Sequence, residues 1–221
     1  MIFPRKSRMS IRIQKQLLEQ FVAGTTARAA ARLVKVQERT AVVFFQRLRQ
    51  LIASKQESFL LLSETKANDS TVTEEYKGRR ESEAAGHVPV FGLLSRGGKI
   101  YTAIIPDAKA EMLIPIIREH VTPDSIVYTK RAQADDVLNV SEFRHKCLKP
   151  SKTVLSRSGY HIDGTENFWN QSKHYLRRFH GIPKTSFYWY LKDCEWRFNG
   201  SDHHELSKQL HDWYQLGFHK L

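Results

Sequence analysis

VPVFGLLSRGGKIYTAIIPDAKAEMLIPIIREHVTPDSIVYT, residues 88–129, carries the order of elements on which the fold turns. Val88 to Leu94 and Lys99 to Ile105 are runs of strand-forming residues joined by Gly97-Gly98, a hairpin signal. Ala108 to His120 places Met112, Leu113, Ile116 and Ile117 at helical spacing, and Pro115 is expected to interrupt or kink that helix because it supplies no N–H. Ser125 to Tyr128 is a short strand of buried character. With a first strand before the hairpin and a helix after, the order strand, strand, strand, helix, strand, helix predicts a mixed α+β class: a mixed sheet flanked by helices.

Downstream, DGTENFWNQSKHYLRRFHGIPK (163–184) sets Glu166 seven residues before Lys173, on one face of a predicted helix. A carboxylate and a cation beside a basic aromatic run that includes Arg177 and Arg178 are the groups that a site binding both a metal and a phosphate backbone needs. The same spacing also describes an ordinary amphipathic helix with Phe168, Trp169, Leu176 and Phe179 inward. His161, His174, His180, His203 and His204 lack the Cys or His partners of a structural zinc site and read as surface or phosphate-contacting. Residues 201–221 read as an amphipathic tail.

Upstream, Ile13, Leu17, Leu18, Phe21 and Val22 mark a first helix that Gly24 ends. Thr25 or Thr26 caps a second through Val34, and Glu38 to Ala53 forms a third, the pattern of a helix-turn-helix. Its third helix would present Gln37, Arg39 and Thr40 to base edges and Arg47 and Arg49 to phosphate. Val42, Val43, Phe44, Phe45, Leu48 and Leu51 read as mostly core. From Ser54 to His87 the composition turns polar, the mark of a linker or exposed hairpin, and Asp69 falls within it.

The 221 residues suit one catalytic-size domain with a small appendage. A formal net charge of +12 and a pI near 9.8 favour polyanionic partners. No apolar run approaches the roughly 20 residues that span a bilayer, so no membrane partner is expected. Cys147 and Cys194 make neither a disulfide framework nor a metal spacing, which predicts a reducing cytoplasm.

The strings ENFWNQSK, LRRFHGIPK and DCEWRFN resemble the C-terminal signature of the ISXO-like group of bacterial insertion-sequence transposases, related to Merlin elements. Residues 84–129 resemble the middle of those proteins and residues 21–52 their N-terminal segment, in the family's order. The resemblance implies an N-terminal helix-turn-helix (1–53), a linker and eroded first-strand region (54–87), a ribonuclease-H-like transposase core (88–200) and the tail (201–221). It also implies Mg²⁺ or Mn²⁺ held by three carboxylates in an active enzyme. Double-stranded terminal inverted repeats would be the partner, a homo-oligomer on DNA the assembly, and the bacterial cytoplasm, at the nucleoid when bound, the location.

Of the three carboxylate positions that the resemblance defines, Thr73 stands at the first, in Thr73-Glu74-Glu75-Tyr76, and Lys130 at the second, after SIVYT. Glu166 matches the third and Lys173 the lysine that follows it, with 35 residues between Lys130 and Glu166 as in the family. At about 4 Å from a divalent ion and an effective dielectric near 20, a cation in place of an anion works against metal binding by several kcal/mol. Glu74 and Asp135 are the neighbours that would have to compensate. Three functions follow: a transposase by descent, built for phosphodiester cleavage and strand transfer but impaired in this copy; a catalytically inactive DNA-binding regulator of transposition; and a non-enzymatic protein binding nucleic acid or another acidic partner.

Overall fold

The computed structural model describes residues 9–56, 65–72, 88–95, 97–105, 110–121, 126–129, 144–147, 163–200 and 202–218. Two compact units divide the chain, residues 58–174 and residues 1–57 with 175–221.

In the first of these, β1 (Thr65–Val72), β2 (Val88–Ser95), β3 (Ile100–Ile104), β4 (Ile126–Thr129) and β5 (Arg144–Cys147) form one sheet in the order β3-β2-β1-β4-β5. β1, β2 and β3 are antiparallel neighbours, whereas β4 lies parallel to β1 and β5 parallel to β4. The β2–β3 hairpin closes where Ser95 N–H donates to the Lys99 carbonyl at 2.8 Å and Lys99 N–H to Ser95 Oγ at 3.2 Å. Gly98 takes a φ of +77° in that turn, which a Cβ would resist.

From β3 the chain enters α4 (Ala110–His120) before β4, the kind of crossover that a strand parallel to β1 requires. Phe91, Leu93 and Ile105 pack with Ile117 and Val121 at the end of that helix, and the Tyr101 ring stacks on His120 at 3.7 Å. Pro115 lies inside α4 without ending it, so the expected interruption is corrected: the ring sits on the exposed side, clear of the core.

β1 occupies part of the polar stretch that composition reads as linker, and Asp69 is its fifth residue, paired with Phe91 of β2. Strand neighbours on both sides, not apolar content, make Thr65–Val72 a central strand. β5 has no apolar alternation either and exists by pairing Arg144 to Cys147 with Ile126 to Thr129.

α5 (Asp163–Leu176) follows, with Phe168, Trp169 and Ser172 buried along one face. The Phe168 and Trp169 rings meet edge to face at 4.8 Å.

The second unit holds α1 (Ile11–Val22), α2 (Ala27–Val34), α3 (Glu38–Gln56), α6 (Lys184–Asn199) and α7 (His203–Phe218). Ser10 and Thr26 cap α1 and α2, accepting from Ile13 and Ala29 N–H. Gly24, at φ +76°, turns the chain out of α1, and a Cβ there would lie 3.1 Å from the Arg178 guanidinium. Small Ala30, Ala31 and Ala41 let α2 and α3 approach, with Phe21 and Phe45 edge to face at 5.1 Å beside them. Trp196 of α6 and Leu206 and Leu210 of α7 complete the same core. The tail-like C-terminal stretch is thereby packed on the N-terminal helices, with Tyr214 against Phe44 and its hydroxyl donating to Gln14 Oε1.

A buried ionic centre runs through this unit. Asp193 of α6 accepts from Arg49 Nε at 3.1 Å, from Arg197 Nε at 2.8 Å and from the Tyr175 hydroxyl at 3.0 Å. Arg197 donates onward to the Phe21 and Val22 carbonyls at the end of α1, where backbone acceptors lack helical partners. Arg49 lies 3.9 Å from the centre of the Tyr190 ring and 5.1 Å from that of Phe179, a cation–π enclosure. Burial, reinforced by Asp193, pushes the Tyr175 phenol well above its ordinary range. Burial opposes the Arg197 charge, but Asp193 outweighs it and raises that pKa.

Removing the shared acceptor leaves two buried guanidiniums unneutralised, so Asp193→Ala is expected to lower stability by about 3–5 kcal/mol, read from urea midpoints by tryptophan fluorescence. Below about pH 10 the Tyr175 phenol is protonated in folded and unfolded chains alike. Above it the unfolded chain ionises while the folded phenol resists, so stability falls as pH rises toward the folded value. Tyr175→Phe should flatten that alkaline decline in midpoints measured between pH 9 and pH 11.

Candidate functional site

α2 and α3 are joined by a turn of three residues. Lys35, at φ 59°, takes the left-handed position that glycine usually fills, and Val36 N–H donates to the Ala31 carbonyl at 3.0 Å. The Gln37 carbonyl accepts from Thr40 and Ala41 N–H, which puts Gln37 at the mouth of α3. Arg28 and Glu38 pair at 2.8 Å across the turn, both exposed, so the pair contributes at most about 1 kcal/mol.

Gln37, Arg39 and Arg47 are exposed and Thr40 is half-buried. Arg49 is not available to a phosphate: it is 3% exposed and neutralised by Asp193, and the expectation drawn from its charge is corrected. Its position, two residues after Arg47, turns it to the opposite side of the helix. The reading of Val42 and Val43 as core is also corrected, since they are 48% and 44% exposed while Ala41, Phe44 and Phe45 take the inward face. Helical phase within α3 is the signal that separates them: the inward set includes 41, 44, 45, 48, 49 and 52, and the outward set 39, 42, 43 and 47, with 46 and 50 half-buried at its edge.

α5 carries Glu166 and Lys173 two turns apart. Glu166 is exposed and Lys173 half-buried, with exposed Asn170 between them on the same face. Gln171 donates to Asn167 at 3.0 Å one residue round. Arg177 and Arg178 lie just beyond the helix and are exposed, Arg178 donating to the Gly24 carbonyl at 3.1 Å.

Thr73, Glu74, Lys130 and Asp135 lie outside the described residues. The strands that precede Thr73 and Lys130 are described. Lys66 of β1 is level with Tyr128 of β4; from that level β4 runs one residue further and β1 six, so their ends are offset by about 16 Å at 3.3 Å per residue. Asp69, three residues past Lys66, is the sole carboxylate of β1.

Among the described residues no group of three His, Cys, Asp or Glu gathers where a metal ion could be held. Among the side chains described on its face of α5, Glu166 supplies one carboxylate beside the amide of Asn170 and the ammonium of Lys173, an incomplete set for a divalent ion. A cleft of about 360 Å³ between α1 and α7, lined by Lys15, Glu19, His204, Lys208, His211 and Asp212, mixes both signs of charge.

Residues 64–199 match the family model of the ISXO2-like transposase domain. The chain belongs to that family. The matched segment runs from β1 through α6, so it takes in every strand described as well as Glu166 and Lys173. The chain is 50% identical over 104 residues to an uncharacterized transposase-like protein of Haemophilus influenzae, an alignment that covers 47% of this transposase-family chain and 84% of the relative. No solved structure matches. No helix among the described residues is long and apolar enough to cross a membrane.

The two arginines of α3 separate experimentally. Arg47→Ala should leave stability within about 0.5 kcal/mol, as an exposed substitution does. Arg49→Ala, which strips a buried partner from Asp193, should lower the urea midpoint by an amount matching about 3 kcal/mol or more.

Proposed function

We propose that this chain is a DNA-binding transposase by descent whose catalytic site is impaired. Its N-terminal helices act as a helix-turn-helix on double-stranded terminal inverted repeats, and its sheet is a ribonuclease-H-like core. The strand order β3-β2-β1-β4-β5 carries the reading: three antiparallel strands, a helical crossover, then two strands parallel to the first and a helix bearing Glu166. A three-residue turn before a helix with an exposed cationic face supports the DNA-binding half. A homo-oligomer pairing two DNA ends, working in the bacterial cytoplasm, is the assembly that this reading entails.

Lys130 accounts for the impairment. It stands where the family resemblance places a carboxylate, and an ammonium there repels a divalent ion instead of ligating it. For the first carboxylate the β1–β4 register favours Asp69 over Thr73, because Asp69 is close to the level at which β4 ends and Thr73 follows a strand that runs on well past it. One cation, in place of two lost ligands, then separates the chain from its family's chemistry. The exposed face of α3, taken together with a defective site elsewhere in the chain, also supports a second reading, an inactive regulator that occupies element ends.

Nicking of a labelled duplex carrying the element's own ends, with Mn²⁺ in the buffer, tests both halves. The chain as it stands should be inactive and Lys130→Asp active. In the Lys130→Asp background, Asp69→Asn or Glu166→Gln should abolish nicking, while Thr73→Asp should add nothing. Nicking by the native chain, or a requirement for Thr73→Asp, would refute the assignment. Arg47→Ala should lower the slope of log affinity against log salt by about 0.9, the loss of one phosphate contact.

A further inference from the structure

We propose that the outward stripe of α3 is a base-reading surface, with Arg39 directed to guanine, Gln46 to adenine and Val42 and Val43 to the methyl groups of thymine. The inference rests on the DNA-binding reading above and names what that helix recognises. Arg39, Val42, Val43, Gln46 and Arg47 recur at spacings of three and four, so they form one row along the helix. The opposite row, Ala41, Phe44, Phe45 and Leu48, fills the core, while Arg39, Val42, Val43 and Arg47 are exposed and Gln46 is half-buried at the edge of the row.

Val42 and Val43, 48% and 44% exposed, stand outside the helical core. A β-branched residue on a solvent face has lower helix propensity than alanine or lysine and exposes apolar surface as well. Their setting is cationic, with exposed Arg32, Lys35, Arg39 and Arg47 on α2, the turn and α3. That field attracts a polyanion and disfavours a second copy of an equally basic face. The thymine methyl is the apolar group that a major groove presents, arginine pairs with guanine O6 and N7, and glutamine pairs with adenine N6 and N7. Gln46 sits one turn beyond Val42 and Val43, within the first half of α3 where a recognition helix meets base edges. Arg47, beside it on the flank of the row, is placed for phosphate.

The full chain is used to select binding sites from duplexes with a randomised 20-base-pair window, and the enriched site is resynthesised with each thymine in turn replaced by deoxyuridine, which removes only the methyl group. Affinities are read by fluorescence anisotropy, with thermal melts to verify that the variants fold. One or two thymine-to-uracil changes should weaken the wild type about fourfold, the worth of one buried methyl. Val42→Ala or Val43→Ala should be insensitive to the same changes. Gln46→Ala should lose at least about fivefold of its preference at a single adenine. An enriched site bound equally well with every thymine replaced, and equally well by the valine variants, overturns the inference and leaves the helix-turn-helix reading standing. No enrichment at all removes both. A wild-type oligomer that dissociates on Val43→Ala, with DNA affinity unchanged, assigns the stripe to a second copy and overturns the inference as well.

Discussion

Asp193, itself fully buried, holds two guanidinium groups and a phenol, and the helical unit is organised around that charge. Through Arg49 it fixes α3, through Arg197 it reaches the Phe21 and Val22 carbonyls at the end of α1, and through the Tyr175 hydroxyl it holds the residue next to the end of α5. An uncompensated charge in such a place is strongly destabilising, so each partner is a condition for the others. The aromatic rings of Phe21, Phe179 and Tyr190 around Arg49 complete the enclosure. Four stretches that are far apart in the chain meet there.

This arrangement bears on function because α3 serves two masters. Its inward side belongs to the core and the ionic centre, and its outward side is left with Arg39, Val42, Val43, Gln46 and Arg47. A helix so anchored holds its outward face in a fixed orientation, which the proposed reading of bases by that face would require. α7 adds to the anchoring from the C-terminal end: Tyr214 packs on Phe44 and burial pushes its phenol up to about 12. The N-terminal helices thus rely on the last helix of the chain for part of their core.

In the sheet, β1 is the element on which position depends. It is polar, yet it pairs with β2 on one side and β4 on the other, with Lys66 level with Tyr128. The match of Thr73 to the family's first carboxylate rests on the spelling of a short motif, Thr-Glu-Glu-Tyr, and the register of β1 on its paired strands. By composition alone Asp69 belongs to a solvated segment, because its neighbours are polar.

The sequence by itself determined the features that are written in nearby residues: the N-terminal helices, a cap for the second at Thr25 or Thr26, the stop at Gly24, the Gly97-Gly98 hairpin, the two-turn spacing of Glu166 and Lys173, and the family, through strings such as ENFWNQSK. Each depends on dihedral preference or side-chain period over one or two turns, which local residues set. Only the tertiary structure decided that Arg49 is a buried ion and Val42 an exposed apolar residue, that Thr65–Val72 is a central strand, that Arg144–Cys147 is a strand at all, and that the tail belongs to the N-terminal core. Arg49 and Asp193 stand 144 residues apart, and nothing near either one specifies the other. Burial and pairing are relations between distant segments, so they become legible when the chain has brought those segments together.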